Sequence, residues 1–139
     1  MQQRLVLVVF VCTLLSLTGC QSYTTGLQKS LARADETVAI GALRTIGIAE
    51  RTYTITNEGR YGTLQQLSDG GFINAKLASS TPIKDYSLTL NVIPNGFTCN
   101  ADPLQAGGLA GRHFYIDAVS AEIHVNDTQP ATAADKTLQ

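Results

Sequence analysis

The sequence has no tryptophan, two histidines and three cysteines among 139 residues. Charged residues make up only 15% of the chain and the formal net charge is −1, so no basic surface favours nucleic acid as a partner. Cys99 is the one cysteine beyond residue 20, and a single thiol excludes a framework of intrachain disulfides. The body of the chain must therefore be held together by an apolar core.

The first nineteen residues have the parts of a bacterial secretory signal. Arg4 supplies a positive start, an apolar run covers residues 5–17, and Leu17-Thr18-Gly19-Cys20 closes the segment. The run covers about thirteen residues, fewer than the roughly 20 that a membrane-spanning helix requires. We therefore predict a cleaved signal peptide over residues 1–19.

The end of this segment resembles the lipobox of bacterial lipoproteins. The resemblance implies cleavage between Gly19 and Cys20, attachment of diacylglycerol to the Cys20 sulfur, and acylation of the new amino group with a fatty acid such as palmitate. Two or three acyl chains anchor a protein stably, because each buried CH₂ contributes about 0.8 kcal/mol. Gln21 follows the cysteine, which by the same resemblance implies sorting to the outer membrane, with the domain facing the periplasm.

Beyond the anchor, the pattern predicts a tether over residues 20–26, one α+β domain over residues 27–126 and a frayed polar tail over residues 127–139. Apolar residues at steps of three and four predict a long helix from Leu27 to about Thr56. The stripe is rich in small residues, which would let a sheet approach closely. Its expected members are Leu27, Leu31, Ala34, Val38, Ala42, Ile46, Ala49 and Tyr53.

Shorter elements follow the long helix. Thr63 and Gln66 form a capping-box pattern that predicts a short helix to Ser68, and residues 75–78 suggest another helical turn. Alternation from Tyr86 to Val92 predicts the first strand.

The first strand should turn back through a two-residue Asn95-Gly96 hairpin, which would place Val92 opposite Cys99. Third and fourth strands are expected over residues 113–117 and 122–125. The fold class is therefore α+β, with a long N-terminal helix packed on a four-stranded antiparallel sheet.

Several short segments, in this order and spacing, resemble the head domain of bacterial type IV pilins and of type II secretion major pseudopilins. They are residues 43–46, 49–50, 53, 61–67, 71–73, 100–103, 111–117 and 130–135. The resemblance covers residues 38–139 and implies a pilin-like fold and a structural role.

The start of the chain differs from that family. Pilins carry a short basic leader ending in glycine, then Phe-Thr-Leu-Ile-Glu and a long apolar helix, and none of these occurs here. The helix after Cys20 is amphipathic, so it is unsuited to the apolar core of a filament. We expect a pilin head carried on a lipid anchor.

Three chemical alternatives stay open from the sequence. Cys99 could act as a nucleophile with His113 or His124 as its base, although a small buried side chain on a strand is the simpler interpretation. His113 and His124 could bind a metal with Asp117 or Glu122, or Asp102, Asp117 and Asp127 could bind calcium. Solvated strand and turn residues are the simpler interpretation of both sets. The Gly107–Gly111 segment lacks the lysine of a phosphate loop and reads as a strand connection.

The sequence therefore favours a non-enzymatic lipoprotein without cofactor or metal, with no catalytic residue assigned. Its expected partners are membrane lipid through Cys20 and the proteins of a pilus or secretion system. A lipid-anchored, periplasmic ligand-binding module is the alternative, and it would require a deep pocket between the helix and the sheet.

Overall fold

The computed structural model describes residues 19–105 and 111–139, and for residues 19–23 the backbone alone. The chain divides into two units, Met1–Leu31 and Ala32–Gln139, and every strand belongs to the second. The described elements are α1 (Gly19–Thr56), α2 (Leu64–Asp69), α3 (Ala75–Ala78), β1 (Tyr86–Ile93), β2 (Gly96–Pro103), β3 (His113–Asp117), β4 (His124–Asn126) and β5 (Lys136–Thr137).

The long helix α1 is one helix of 38 residues. It ends at Thr56 as expected, and Glu58 and Gly59 then take positive φ angles of 56° and 78°. Residues 20–26, where the sequence predicts a tether before the first helix, are themselves helical. Propagation of a formed helix costs little per residue, and this polar segment contains no proline that would stop it.

The face of α1 that packs on the sheet is rotated from the predicted stripe. Ala42, Ile46 and Ala49 are buried as expected, but Leu27, Leu31 and Val38 are 54%, 58% and 39% exposed. The residues that contact the main core are Ala39, Leu43 and Ile46, each 0% exposed, and only Ile46 among them belongs to the predicted stripe. Steps of three or four fit more than one line along a helix, and only packing selects among them.

Small residues do allow a close approach between α1 and the sheet. A Cβ atom on Gly47 would lie 2.9 Å from Cδ1 of Ile116, which is shorter than real side chains tolerate. Ala39 also faces the sheet. The helix therefore lies directly on the layer formed by Phe97, Cys99, Ala101, Phe114 and Ile116.

The capping box predicted for α2 is confirmed. The Thr63 hydroxyl accepts from the Gln66 backbone N–H at 3.2 Å, and the Thr63 backbone N–H donates to Gln66 Oε1 at 2.9 Å. With α3, this helix builds a second apolar cluster on the flank of α1. Its buried members are Ala42, Ala49, Leu67, Ile73, Leu77 and Ile83.

The sheet is an antiparallel meander in the order β1-β2-β3-β4-β5. The α+β class with a long N-terminal helix is confirmed, but the sheet has five strands rather than four. The fifth lies within residues 127–139, where we expected a frayed tail, and Ala131 in that segment is only 2% exposed. A two-residue strand held by backbone hydrogen bonds leaves no apolar period to detect.

The first hairpin is shifted by two residues from the predicted register. Ile93 pairs with Gly96 and Leu90 with Cys99, so the two loop residues are Pro94 and Asn95. An Asn95-Gly96 loop would have required Pro94 to donate a flanking N–H that proline lacks. Asn95 instead takes a φ of 63°, as the third position of a Pro-initiated turn demands. A shift of two preserves which side chains face the core.

Candidate functional site

The proposed lipidation position falls at the edge of what the structure describes. Gly19 and Cys20 have helical backbone, and the Cys20 side chain lies outside the described residues, as do residues 1–18 of the signal predicted over residues 1–19. No helix in the described residues is long and apolar enough to cross a membrane.

Cys99 lies in the core, where the sheet meets α1. It is 0% exposed, and burial, followed by the nearby Glu50 carboxyl, raises the pKa of its thiol to about 12. His113 and His124 project from the opposite face of the sheet, because neither is in line with Cys99 in the strand register. The nucleophile hypothesis therefore lacks both an accessible thiolate and a histidine partner.

The outer face of the sheet carries most of the polar side chains that the sequence singled out. His113 Nδ1 lies 2.6 Å from Asp102 Oδ1, across the β2–β3 seam. The two side chains are 17% and 26% exposed, so the pair is partly shielded from water. A hydrogen bond between side chains that face each other on neighbouring strands stabilises the pairing of those strands.

His124 is more deeply placed, with 6% exposure. Its Nδ1 lies 2.8 Å from the Asp135 carbonyl oxygen, which only accepts, so Nδ1 carries a proton. Its Nε2 lies 3.2 Å from the Ser120 hydroxyl oxygen, and its ring packs edge-on against Tyr115. No motif or spacing in the sequence indicates this Ser–His contact.

The Ser120 hydroxyl is already engaged in a turn. Its oxygen lies 3.1 Å from Asp117 Oδ1 and accepts from the Glu122 backbone N–H at 3.3 Å. Burial alone would raise the pKa of Asp117, but hydrogen bonds from Ser120, Val119 and Tyr115 outweigh it and lower the pKa. These contacts fix the β3–β4 turn and engage the Ser120 hydroxyl in it.

The segment 127–135 folds back over this outer face. Asn100 in β2 donates its side-chain N–H to the Ala131 carbonyl at 2.8 Å, and Asn126 donates to Asp135 Oδ1 at 2.7 Å. The Asp135 carboxylate also accepts from the Thr132 backbone and hydroxyl, and these bonds lower its pKa. The polar face of the sheet thus serves as a platform for the C-terminal segment.

The described residues hold no group of three or more histidine, cysteine, aspartate or glutamate side chains placed to bind a metal ion. His113 and His124 lie on one face, as the sequence suggested, but each ring has a different protein partner. Asp102, Asp117 and Asp127 are likewise bound to His113, the β3–β4 turn and Lys136. The metal-pair and calcium hypotheses gain no support from this geometry.

The strand connection before β3 is held to α1 by an ion pair that the sequence did not reveal. The Arg112 guanidinium contacts both oxygens of Glu36, with Nη2–Oε2 at 2.8 Å, and the Arg112 backbone N–H donates to Glu36 Oε1 at 3.0 Å. The Tyr86 hydroxyl donates to the Arg112 carbonyl at 2.8 Å. A Cβ on Gly111 would collide with the Tyr86 hydroxyl, so this position requires glycine. Residues 107–110 of the glycine-rich segment lie outside the described residues.

Glu50 is a carboxyl group buried inside the core. It is 0% exposed, Oε2 accepts from the Gly62 backbone N–H at 2.9 Å, and Oε1 has no partner in the described structure. Burial raises the pKa of Glu50, against the smaller opposing effect of the Gly62 hydrogen bond. The hydrogen bond fixes the loop after α1 to the helix, and burial disfavours the charged form of the carboxyl.

One cavity of about 340 Å³ opens to solvent between α1 and the β4–β5 edge. It is lined by Arg44, Ala121, Glu122, Ile123, Thr137, Leu138 and Gln139. The cavity lies beside the sheet edge, not between the helix and the sheet face, which is filled by core side chains. Its volume would admit a small ligand.

Comparison of the chain with protein-family models, with curated proteins and with solved structures gives no match.

Proposed function

We propose that this chain is a non-enzymatic, membrane-anchored lipoprotein whose pilin-like body is a structural or accessory subunit of a cell-envelope assembly, such as a type IV pilus or a type II secretion system. One observation carries the proposal. The lipobox cysteine, Cys20, and the core residues Leu43 and Ile46 belong to the same helix, Gly19–Thr56. A lipid on Cys20 would therefore be attached near the first residue of the helix whose later residues supply core side chains.

The body supports the pilin-like part of the proposal. A long helix followed by an antiparallel meander is the arrangement that the resemblance implies. The resembling segments also meet in space, since the Gly62 backbone N–H donates to the Glu50 carboxyl in the core.

The polar chemistry supports a structural role. The outer-face groups that sequence reasoning considered for catalysis or metal binding hold turns and the segment 127–135 in place. The thiol of Cys99 is inside the core. Polar side chains that hold turns in place make the surface rigid. A rigid surface suits a subunit that assembles with other proteins.

A lipid-anchored ligand-binding module is the second candidate, and the cavity beside Arg44 favours it. Arg44 supplies a positive charge at its mouth, and Ile123 and Leu138 supply apolar wall. The lining combines the Arg44 guanidinium and the Glu122 carboxyl with apolar side chains, so a small polar compound with groups for both charges would suit this cavity. Thermal-shift screening of the parent chain against an Arg44→Ala variant tests it, because true binding must disappear in the variant.

The proposed function is tested by cross-linking in the intact envelope of a bacterium that expresses the full chain with a C-terminal tag. A photoreactive residue at exposed Ile48 or Val119 captures whatever protein touches the body. The proposal predicts pilus or secretion components among the products, and their loss in a Cys20→Ser variant that cannot be acylated.

The matched control is Cys99→Ser, which changes a thiol in the core and leaves the anchor position intact. It must keep both the membrane location and the cross-linked partners of the parent chain. Capture of only soluble periplasmic enzymes, or unchanged capture in Cys20→Ser, would refute the assembly role.

A further inference from the structure

The outer edge of β1 is open over most of its length. Tyr86 turns its backbone groups outward, because its N–H and C=O both pair with Ile83, at 3.1 and 2.9 Å. Groups on alternate residues of an antiparallel strand point the same way, so Leu88, Leu90 and Val92 also point theirs outward. In the described part of the chain, no backbone group pairs with these six donors and acceptors.

The open stretch has defined limits at both ends. At one end, the backbone N–H and C=O of Tyr86 already pair with Ile83. At the other end, Pro94 begins the hairpin turn and has no N–H to donate. The available edge is therefore the three residues Leu88, Leu90 and Val92 and their two neighbours between them.

This edge lacks the features by which natural sheets prevent pairing with other chains. Residues 87–93 contain no charge, proline or glycine, and the unbroken register with β2 leaves no bulge. The opposite edge of the sheet differs, because β5 is only two residues long and carries Lys136. The protection of one edge and not the other points to a partner for β1.

We propose that β1 pairs antiparallel with β1 of a second copy of this chain, with Leu90 on the two-fold axis. In this register Leu90 faces the second copy's Leu90, and Leu88 faces the second copy's Val92. All six outward groups of each chain are then paired. A shift by two residues in either direction would place an outward residue against Pro94 or against Tyr86, whose groups are already used by Ile83.

The side chains and charges of the two copies fit this register. Leu88, Leu90 and Val92 extend the apolar layer across the seam, and the 43% exposed Val92 gains cover. On the outer face, Thr89 lies opposite the second copy's Asn91, so no like charges meet. The nearest charges, Lys84 and Asp85, are of opposite sign and lie beyond the paired residues. An isologous contact of this kind closes at two copies.

The proposal does not rest on the anchor or on the pilin-like role, and cysteine pairing tests its register. Two variants of the full chain in detergent, Thr89→Cys and Asn91→Cys, carry different tags, and Cys12→Ala and Cys20→Ser remove other accessible thiols. Across the seam the two positions should have Cα atoms about 4.5 Å apart, within disulfide range. Two copies of Thr89 would be about 8 Å apart, beyond that range.

We expect the mixture of the two variants to form a disulfide-linked dimer with both tags, at least about tenfold faster than either variant alone. Equal rates in the mixture and in the separate samples, or no dimer in any sample, would overturn the proposal. Either result would leave the anchor and the envelope role untouched.

A second measurement examines the hydrogen bonds themselves. Val92→Pro deletes an outward N–H that has no partner within one chain, so an edge strand should accept it. Val92→Ala is the matched control, because it trims the same side chain and keeps the N–H. Sedimentation should show dimer for the parent and for Val92→Ala, and monomer with unchanged circular dichroism for Val92→Pro. A parent chain that stays monomeric would refute the pairing.

Discussion

Glu36 and Arg112 are 76 residues apart in the sequence, and their side chains form a bidentate ion pair that joins α1 to the start of β3. The carboxylate also accepts the Arg112 backbone N–H, so it holds main chain as well as side chain. The side chain of Glu36 is 11% exposed and that of Arg112 38%. One partner of the pair is thus largely withdrawn from water.

Removal of this carboxylate should destabilise the second unit of the chain. Glu36→Ala leaves a buried backbone N–H and a half-exposed guanidinium without their acceptor, which costs about 1–3 kcal/mol in the free energy of unfolding. The cost falls toward the lower end because water reaches the guanidinium of Arg112. Urea denaturation followed by circular dichroism measures the change.

Glu58→Ala is the matched control for this measurement. Glu58 forms an ion pair with Arg60 at 3.0 Å, but both side chains are at least 75% exposed. Exposed pairs contribute little, so a change within about 0.5 kcal/mol is expected. Equal effects of the two substitutions would show that the Glu36–Arg112 pair does not hold the fold together.

The buried Glu50 should make the fold less stable as pH rises. Burial raises the pKa of this carboxyl in the folded state above its value of 4.5 in the unfolded chain. The folded state therefore holds its proton more tightly, and the free energy of unfolding falls as pH climbs from that value through the folded pKa. Unfolding curves from pH 4 upward should show the decline.

Glu50→Gln tests this assignment, because it keeps an acceptor for the Gly62 N–H and has no proton to lose. The variant should show a flatter dependence of stability on pH than the parent chain, whereas Glu58→Gln should follow the parent. Parallel curves for the parent and Glu50→Gln would mean that ionisation of Glu50 is not coupled to folding.

Opposite behaviour is expected for Asp117 at acid pH. The hydrogen bonds from Ser120, Val119 and Tyr115 lower its folded pKa, so the stabilisation is present above the unfolded value of 3.8 and is lost as pH falls below it. Asp117→Asn should therefore be less stable than the parent at neutral pH, and the difference should shrink as pH falls through the folded pKa of Asp117. A constant difference at every pH would argue against the assignment.

Much of the fold was predictable because local signals and packing agree. The strand over residues 113–117, the capping box at Thr63 and the buried positions Phe114 and Ile116 follow from short patterns that packing only reinforces. The predicted hairpin register is wrong because an Asn95-Gly96 loop would need a backbone N–H on Pro94, which proline lacks.

The polar contacts were not predictable from the sequence. The Glu36–Arg112 pair and the Asn100–Ala131 hydrogen bond join residues far apart in the chain. The spacing of residues in the sequence does not predict such contacts. The segment 127–139 has no apolar period, so the sequence predicts a frayed tail. In the structure, backbone and side-chain hydrogen bonds hold this segment against the sheet.

The burial of Cys99 predicts an unreactive thiol. With the pKa of the thiol raised to about 12, almost no thiolate exists at pH 8, and the side chain is covered on all sides. In a chain with Cys12→Ala and Cys20→Ser, alkylation of Cys99 should be slow in buffer and fast in urea. Rapid alkylation of the folded protein would show that the core opens at this strand and would restore Cys99 as a candidate nucleophile.

Cleavage before Cys20 and acylation of this residue are the central claims about the protein. Mass spectrometry of the full-length gene product, purified from the membranes of a bacterium with lipoprotein-processing enzymes, tests them directly. The account predicts an N-terminal peptide that begins at Cys20 and carries the mass of a diacylglycerol and an added fatty acid. A peptide that retains Met1, or a Cys20 peptide without lipid, would contradict it.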